Sequence, residues 1–98
     1  MLSYQKIPDK TIVSFSGDLD TVTCIDFEDE LFEQIGDSPD KIVFDLKEVK
    51  SISSMFLRVC TKVVQKINKE NLSIINIPEQ PLKVFKLTNL DSFFNISQ

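Results

Sequence analysis

A chain of 98 residues that is 42% hydrophobic and 27% charged has the length and balance of one folded domain, residues 1–98, outside the range of disordered chains. Its net charge of −4 argues against a phosphate-backbone binder, since nucleic-acid affinity rests on clustered Lys and Arg, and the lack of histidine excludes Cys/His zinc sites and His-based nucleophilic triads. No stretch approaches the roughly 20 apolar residues of a membrane span, and Met1-Leu2-Ser3-Tyr4-Gln5-Lys6 lacks a signal peptide's apolar centre, so a cytoplasmic protein without membrane insertion is expected.

Tyr4 to Ile7 reads as a short strand, Pro8-Asp9 as a turn, and the alternating Thr11 to Ser16 as a second strand paired with the first in a hairpin. Gly17-Asp18 is expected to break that strand. Asp20 or Thr21 then caps a helix running to about Ile35, with Cys24, Phe27, Leu31 and Ile35 on its inner face and Gly36 as its stop. Asp26, Asp29, Glu30 and Glu33 lie mostly elsewhere on the wheel and read as a solvated face, because no companion ligands are spaced for a metal. Asp37 to Asp40, with Pro39, reads as a loop.

Lys41 to Asp45 has the β-branched and aromatic content of a buried strand. A polar connection is expected to lead from it to Ser53-Ser54 and a second helix ending near Lys69. Leu57, Cys60, Val64 and Ile67 recur at steps of three and four and define that helix's inner stripe. Ser53 is the N-cap candidate, and Ser54 falls in the first turn, beside unpaired backbone donors and the positive end of the helix dipole. Phe56 lies about 100° from Leu57 on the wheel, which predicts partial exposure for Met55 and Phe56; a packed flank with Val59 and Val63 is the alternative. Arg58, Lys62, Lys66 and Lys69 form a basic stripe. Both cysteines, Cys24 and Cys60, sit in apolar patterns and read as packing residues.

Lys69-Glu70-Asn71 reads as a turn and Leu72 to Ile77 as a strand. Pro78 and Pro81 bracket the start of a short helix containing Leu82, Phe85 and Leu87, with Asn89 suited to the left-handed residue that closes it. Phe93-Phe94 is expected to pack back on the sheet. Strands alternating with helices imply an α/β domain, a mixed sheet of about four strands with helices packed against it.

Three segments carry a resemblance. Gly17-Asp18-Leu19-Asp20, the run Asp45-Leu46-Lys47-Glu48-Val49 followed by Ser53-Ser54 and Leu57, and Leu87-Thr88-Asn89-Leu90 occur in that order. Together they resemble the STAS domain of bacterial anti-sigma factor antagonists, whose motifs read Gly-Glu-Leu-Asp, Asp-Ser-Ser-Gly-Leu and Leu-Ser-Gly-Leu. The central motif is degenerate: Ser53 replaces its Asp, and Met55-Phe56 replaces its Ser-Gly. The resemblance implies a STAS-like fold over the whole chain and a non-enzymatic regulator that binds an anti-sigma factor acting as a serine kinase. It also implies a phosphoacceptor at Ser54 and a phosphatase that reverses the modification. The candidate partner-contact residues are Ser53, Met55, Phe56 and Arg58; no residue is assigned to catalysis, a cofactor or a metal. The alternative of a different class is an unphosphorylated STAS subunit bound to an ATPase, as in lipid-transport complexes.

Overall fold

The computed structural model describes residues 2–36 and 41–97, so the expected loop at 37–40 lies outside the described residues. Strands β1 (Leu2–Ile7) and β2 (Lys10–Leu19) form the antiparallel hairpin, with Ile7 opposite Lys10 across Pro8-Asp9. Helix α1 (Thr21–Ile35), β3 (Lys41–Ile52), α2 (Ser54–Ile67), a 3₁₀ turn (Lys69–Asn71), β4 (Leu72–Ile75), α3 (Glu79–Leu87) and β5 (Asn95–Ile96) follow. The sheet has five strands in the order β1-β2-β3-β4-β5, parallel from β2 onward. The fifth is the two-residue β5, too short to leave a pattern in the sequence.

Register explains the core. Tyr4, Val13, Phe44, Ile74 and Ile96 stand side by side across the five strands, and this row looks towards α1 and α2. Phe15, one alternate position beyond Val13, meets Phe27 of α1 at 5.6 Å and Phe56 of α2 at 5.3 Å between ring centroids. The neighbouring row on the other face, Gln5, Ile12, Val43, Ser73 and Asn95, is half-buried or exposed.

Two strands run further than their composition predicts. β2 continues through Gly17-Asp18 to Leu19, and β3 continues from Asp45 to Ile52 where a polar connection was expected. Ser14 pairs with Asp45 but Ser16 with Glu48, and Gly17 pairs with Val49 but Asp18 with Ser51. At each shift β3 advances one residue more than β2, a bulge that re-aims the following side chains. Leu46, Val49 and Ile52 are therefore all buried at a spacing of three. Gly17, at φ 80°, supplies the left-handed backbone that keeps β2 in step at the second shift.

Helix α1 follows its local signals. Cys24, Phe27, Leu31 and Ile35 are its buried residues, Gly36 closes it at φ 59°, and Asp26, Asp29, Glu30 and Glu33 are exposed. The Asp20 carboxylate accepts a hydrogen bond from Thr23 N at 2.9 Å, and the Thr23 backbone and side-chain hydrogen bonds hold its pKa below the ordinary 3.8. A carboxyl whose pKa is depressed by folding stabilises the fold above its unfolded pKa, and that contribution is lost as pH falls through the folded value. Asp20→Ala should accordingly lower the melting temperature at neutral pH, and the gap to the parent protein should close as the pH falls below about 4. A gap that stays constant down to the acid limit would show that Asp20 acts without its charge.

Helix α3 carries Phe85 into the core, where it meets Phe94 edge-on at 6.0 Å. The helix contains Leu82, Phe85 and Leu87 as expected, and Leu87, its last residue, is 76% exposed. Asn89 takes the expected left-handed conformation at φ 61°. Of the terminal pair, Phe94 is buried and Phe93 remains 38% exposed.

Candidate functional site

The end of β3 is pinned from two sides before the chain enters α2. The Ser51 hydroxyl donates to Asp18 Oδ1 at 2.6 Å, while Ser53 donates to the Leu19 carbonyl from its backbone N at 3.1 Å and from its hydroxyl at 2.8 Å. The Cys24 thiol lies 3.7 Å from the same carbonyl oxygen. On the other side, Ile52 N donates to Gln80 Oε1 of α3 at 3.0 Å, which supplies the acceptor that β4, ending at Ile75, is too short to offer. The serine segment is thus clamped to the β2–α1 corner and to α3 together.

Ser53 is the N-cap of α2 and has the extended backbone of one, at φ −115° and ψ 172°. Its hydroxyl turns away to Leu19, so no side chain caps the first turn, which also contains no acidic residue. The unpaired N–H groups and the positive end of the dipole are therefore uncompensated where Ser54 begins the helix. Ser54 is exposed. It lines a shallow depression of about 220 Å³ with Thr21, Met55 and Arg58. Arg58 is exposed one turn after Ser54, and Met55 is half-buried. A serine hydroxyl needs a neighbouring base to act as a nucleophile, and the ionisable group in this depression is a guanidinium, which cannot take its proton.

Phe56 contradicts its expected role as a partially exposed partner contact. It is fully buried, edge-on to Phe15 at 5.3 Å and 6.3 Å from Phe44. The buried positions of α2 are Phe56, Leu57, Val59, Cys60, Val63, Val64 and Ile67, an arc of roughly 160° at 100° per residue. Leu57 sits at one edge of that arc and Phe56 near its middle, because α2 is covered by the sheet beneath it and by α1 beside it. The packed flank with Val59 and Val63 is the arrangement found, and the approach to Ser54 is left clear. Ser53 is half-buried and its hydroxyl is already committed to Leu19, so its observed work is to hold the corner.

Both thiols are packing groups. Burial raises the Cys24 pKa to about 11 and the Cys60 pKa well above its usual value, which keeps them protonated and unreactive at neutral pH. Sequence reasoning missed Gln80, which had no local signal, and read Thr21 only as an alternative cap of α1. It also passed over Val22 and Ile25, 67% and 58% exposed, whose absence from the inner stripe of α1 was a usable sign.

A model of the STAS domain matches residues 1–98. The chain belongs to the STAS domain family. Solved structures with the same fold include an anti-sigma factor antagonist from Mycobacterium paratuberculosis, 23% identical with a TM-score of 0.85 over 98% of this chain and 83% of that one. A candidate anti-sigma factor antagonist from Thermotoga maritima is 24% identical with a TM-score of 0.85, covering 99% and 86% of the two chains. The anti-sigma factor antagonist SpoIIAA in its unphosphorylated form is 11% identical with a TM-score of 0.80, covering 100% and 89%. At these identities the solved structures show the STAS fold of this chain, and the mixed five-stranded sheet is that fold. Among the described residues, no helix of this STAS domain is long and apolar enough to cross a membrane.

Proposed function

We propose that this STAS domain is a cytoplasmic, non-catalytic regulator of the anti-sigma factor antagonist type, which binds a serine kinase that also sequesters a sigma factor. Phosphate on Ser54 switches the binding off, and a phosphatase restores it. The observation that carries the reading is an exposed serine hydroxyl at the uncapped start of α2, held by a corner pinned to Asp18, Leu19 and Gln80. In the transfer, the Ser54 oxygen attacks the γ-phosphorus of ATP bound to the kinase, ADP leaves, and the hydroxyl proton passes to a base of the kinase. The uncapped N–H groups and Arg58 favour the resulting dianion.

Incubation with the partner kinase and ATP should add one phosphate, mapped to Ser54 by mass spectrometry, and Ser54→Ala should abolish it while leaving the melting curve unchanged. Labelling of Ser51, Ser53 or Thr61 with Ser54 untouched would overturn the assignment. Stable association with an ATPase and no phosphate transfer would favour the adaptor type of STAS protein.

A further inference from the structure

β1 is the outermost strand of the sheet, no strand lies beyond it among the described residues, and Leu2–Ile7 pair with β2 in unbroken register. Lys41 N donates to the Asp9 carbonyl at 3.4 Å, so Asp9, Thr11 and Val13 turn their backbone groups to β3. Lys10, Ile12 and Ser14 turn theirs to β1, where they face Ile7, Gln5 and Ser3. The N–H and C=O groups of Leu2, Tyr4 and Lys6 consequently point outward along a free edge. Sheet edges are commonly blunted by proline, a bulge or charges, and within β1 the one such device is Lys6.

Beside this edge, Leu2 lines a groove of about 460 Å³ with Thr23, Asp26, Phe27 and Glu30 of α1. Helix α1 contains no basic residue, and Asp29 and Glu33 add to its negative charge. Among the described residues, Asp26, Glu30 and Lys6 have no ion-pair partner. Tyr4, on the same face of β1, carries a buried hydroxyl without a hydrogen-bond partner, and burial together with the charge of Glu30 pushes its pKa up to about 12.

We infer that β1 receives β1 of a second copy, antiparallel about a twofold axis, with Tyr4 opposite Tyr4 and Lys6 opposite Leu2. The backbone selects this register. With Tyr4 on the axis, the three residues whose groups point outward all face one another and about six hydrogen bonds form, whereas an axis on Ser3 or Gln5 leaves about four. Charge selects the occupant. Within one chain Lys6 lies about 14 Å along the strand from Leu2, at the far end from the groove. Antiparallel pairing carries the second copy's Lys6 to Leu2, where Asp26 and Glu30 wait, and the twofold axis repeats the contact. One ammonium meets two carboxylates on each side, so an excess of negative charge remains and the dimer is weak. The contact uses none of the residues around Ser54 and stands apart from the proposed switch.

Sedimentation equilibrium of the full chain should show one chain passing to two between roughly 10 μM and 1 mM, the range of a small, weak contact. Hydrogen exchange followed by NMR should slow at the Tyr4 and Lys6 amides as the concentration rises. The amides of Ser3, Gln5 and Ile7, already bonded to β2, should not change. Lys6→Glu should raise the dissociation constant roughly fivefold or more, because two exposed ion pairs are lost together, and adding Glu30→Lys should recover part of the loss. Lys6 and Glu30 are exposed, so these variants keep the fold, which circular dichroism checks. A chain that stays single at 1 mM, a dimer in which Tyr4 and Lys6 exchange as fast as in the single chain, or a dimer indifferent to Lys6→Glu would each overturn the inference.

Discussion

Phe56→Ala should destabilise the protein by about 3–5 kcal/mol, the range for removing a buried phenylalanine from a packed core. The ring is fully buried and touches Phe15 and Phe44, so its deletion loses the transferred apolar area, leaves a cavity under α2 and breaks an edge-on aromatic contact. A domain of this size has about 5–15 kcal/mol of total stability, and each kcal/mol moves the melting temperature by about 4–8 °C, so a fall of 12 °C or more is expected. Urea denaturation should show the midpoint lowered with an unchanged slope. Phe56→Leu, which keeps most of the volume, should cost much less. A melting curve unmoved by Phe56→Ala, combined with lost partner binding, would return Phe56 to the surface and contradict the packing of α2.

Phosphorylation of Ser54 should weaken binding to the kinase partner by roughly 30-fold or more, corresponding to about 2 kcal/mol at the low end of the cost of an unpaired charge at a buried interface. The phosphate adds a charge of about −1.5 to −2 at a hydroxyl that the partner must desolvate. Pairing with Arg58 offsets only a fraction of this, because an exposed pair one turn apart contributes at most about 1 kcal/mol. Ser54→Ala should bind nearly as well as the unmodified protein, since it removes one small exposed hydroxyl. Calorimetric titration of the phosphorylated, unmodified and Ser54→Ala proteins against the kinase provides the comparison. Equal affinity of the first two would sink the switch; a loss in Ser54→Ala as large as that caused by phosphate would make the hydroxyl itself the contact.

The two expectations depend on opposite properties of adjacent turns of one helix. Ser54 and Arg58 look outward on the face that the sheet does not cover, and Phe56 looks into the core. Substitutions at Ser54 and Arg58 therefore separate from folding, whereas the family's glycine position, occupied here by Phe56, reports stability. Where the motif has Gly, this chain adds a buried ring to the core.

What the sequence by itself determined is what neighbouring residues decide among themselves. Asp20, Gly36 and the spacing of Cys24, Phe27, Leu31 and Ile35 define α1, the two-residue Pro8-Asp9 turn defines the hairpin, and Asn89 accepts the left-handed conformation after α3. Capping, turn and periodicity rules act over one or two turns of chain, and the position of Ser54 at a helix start was legible for the same reason. Only the tertiary structure decided the length of β3, because its alternation is broken by bulges against β2, and a spacing of three at Leu46, Val49 and Ile52 has no strand signature. It alone decided the middle of the buried arc of α2, since periodicity shows that a helix has an apolar side but the neighbours on either flank set how wide that side is. The clamp of Ser51 on Asp18 and of Ile52 on Gln80 joins residues 33 and 28 positions apart, and no local rule reaches that far.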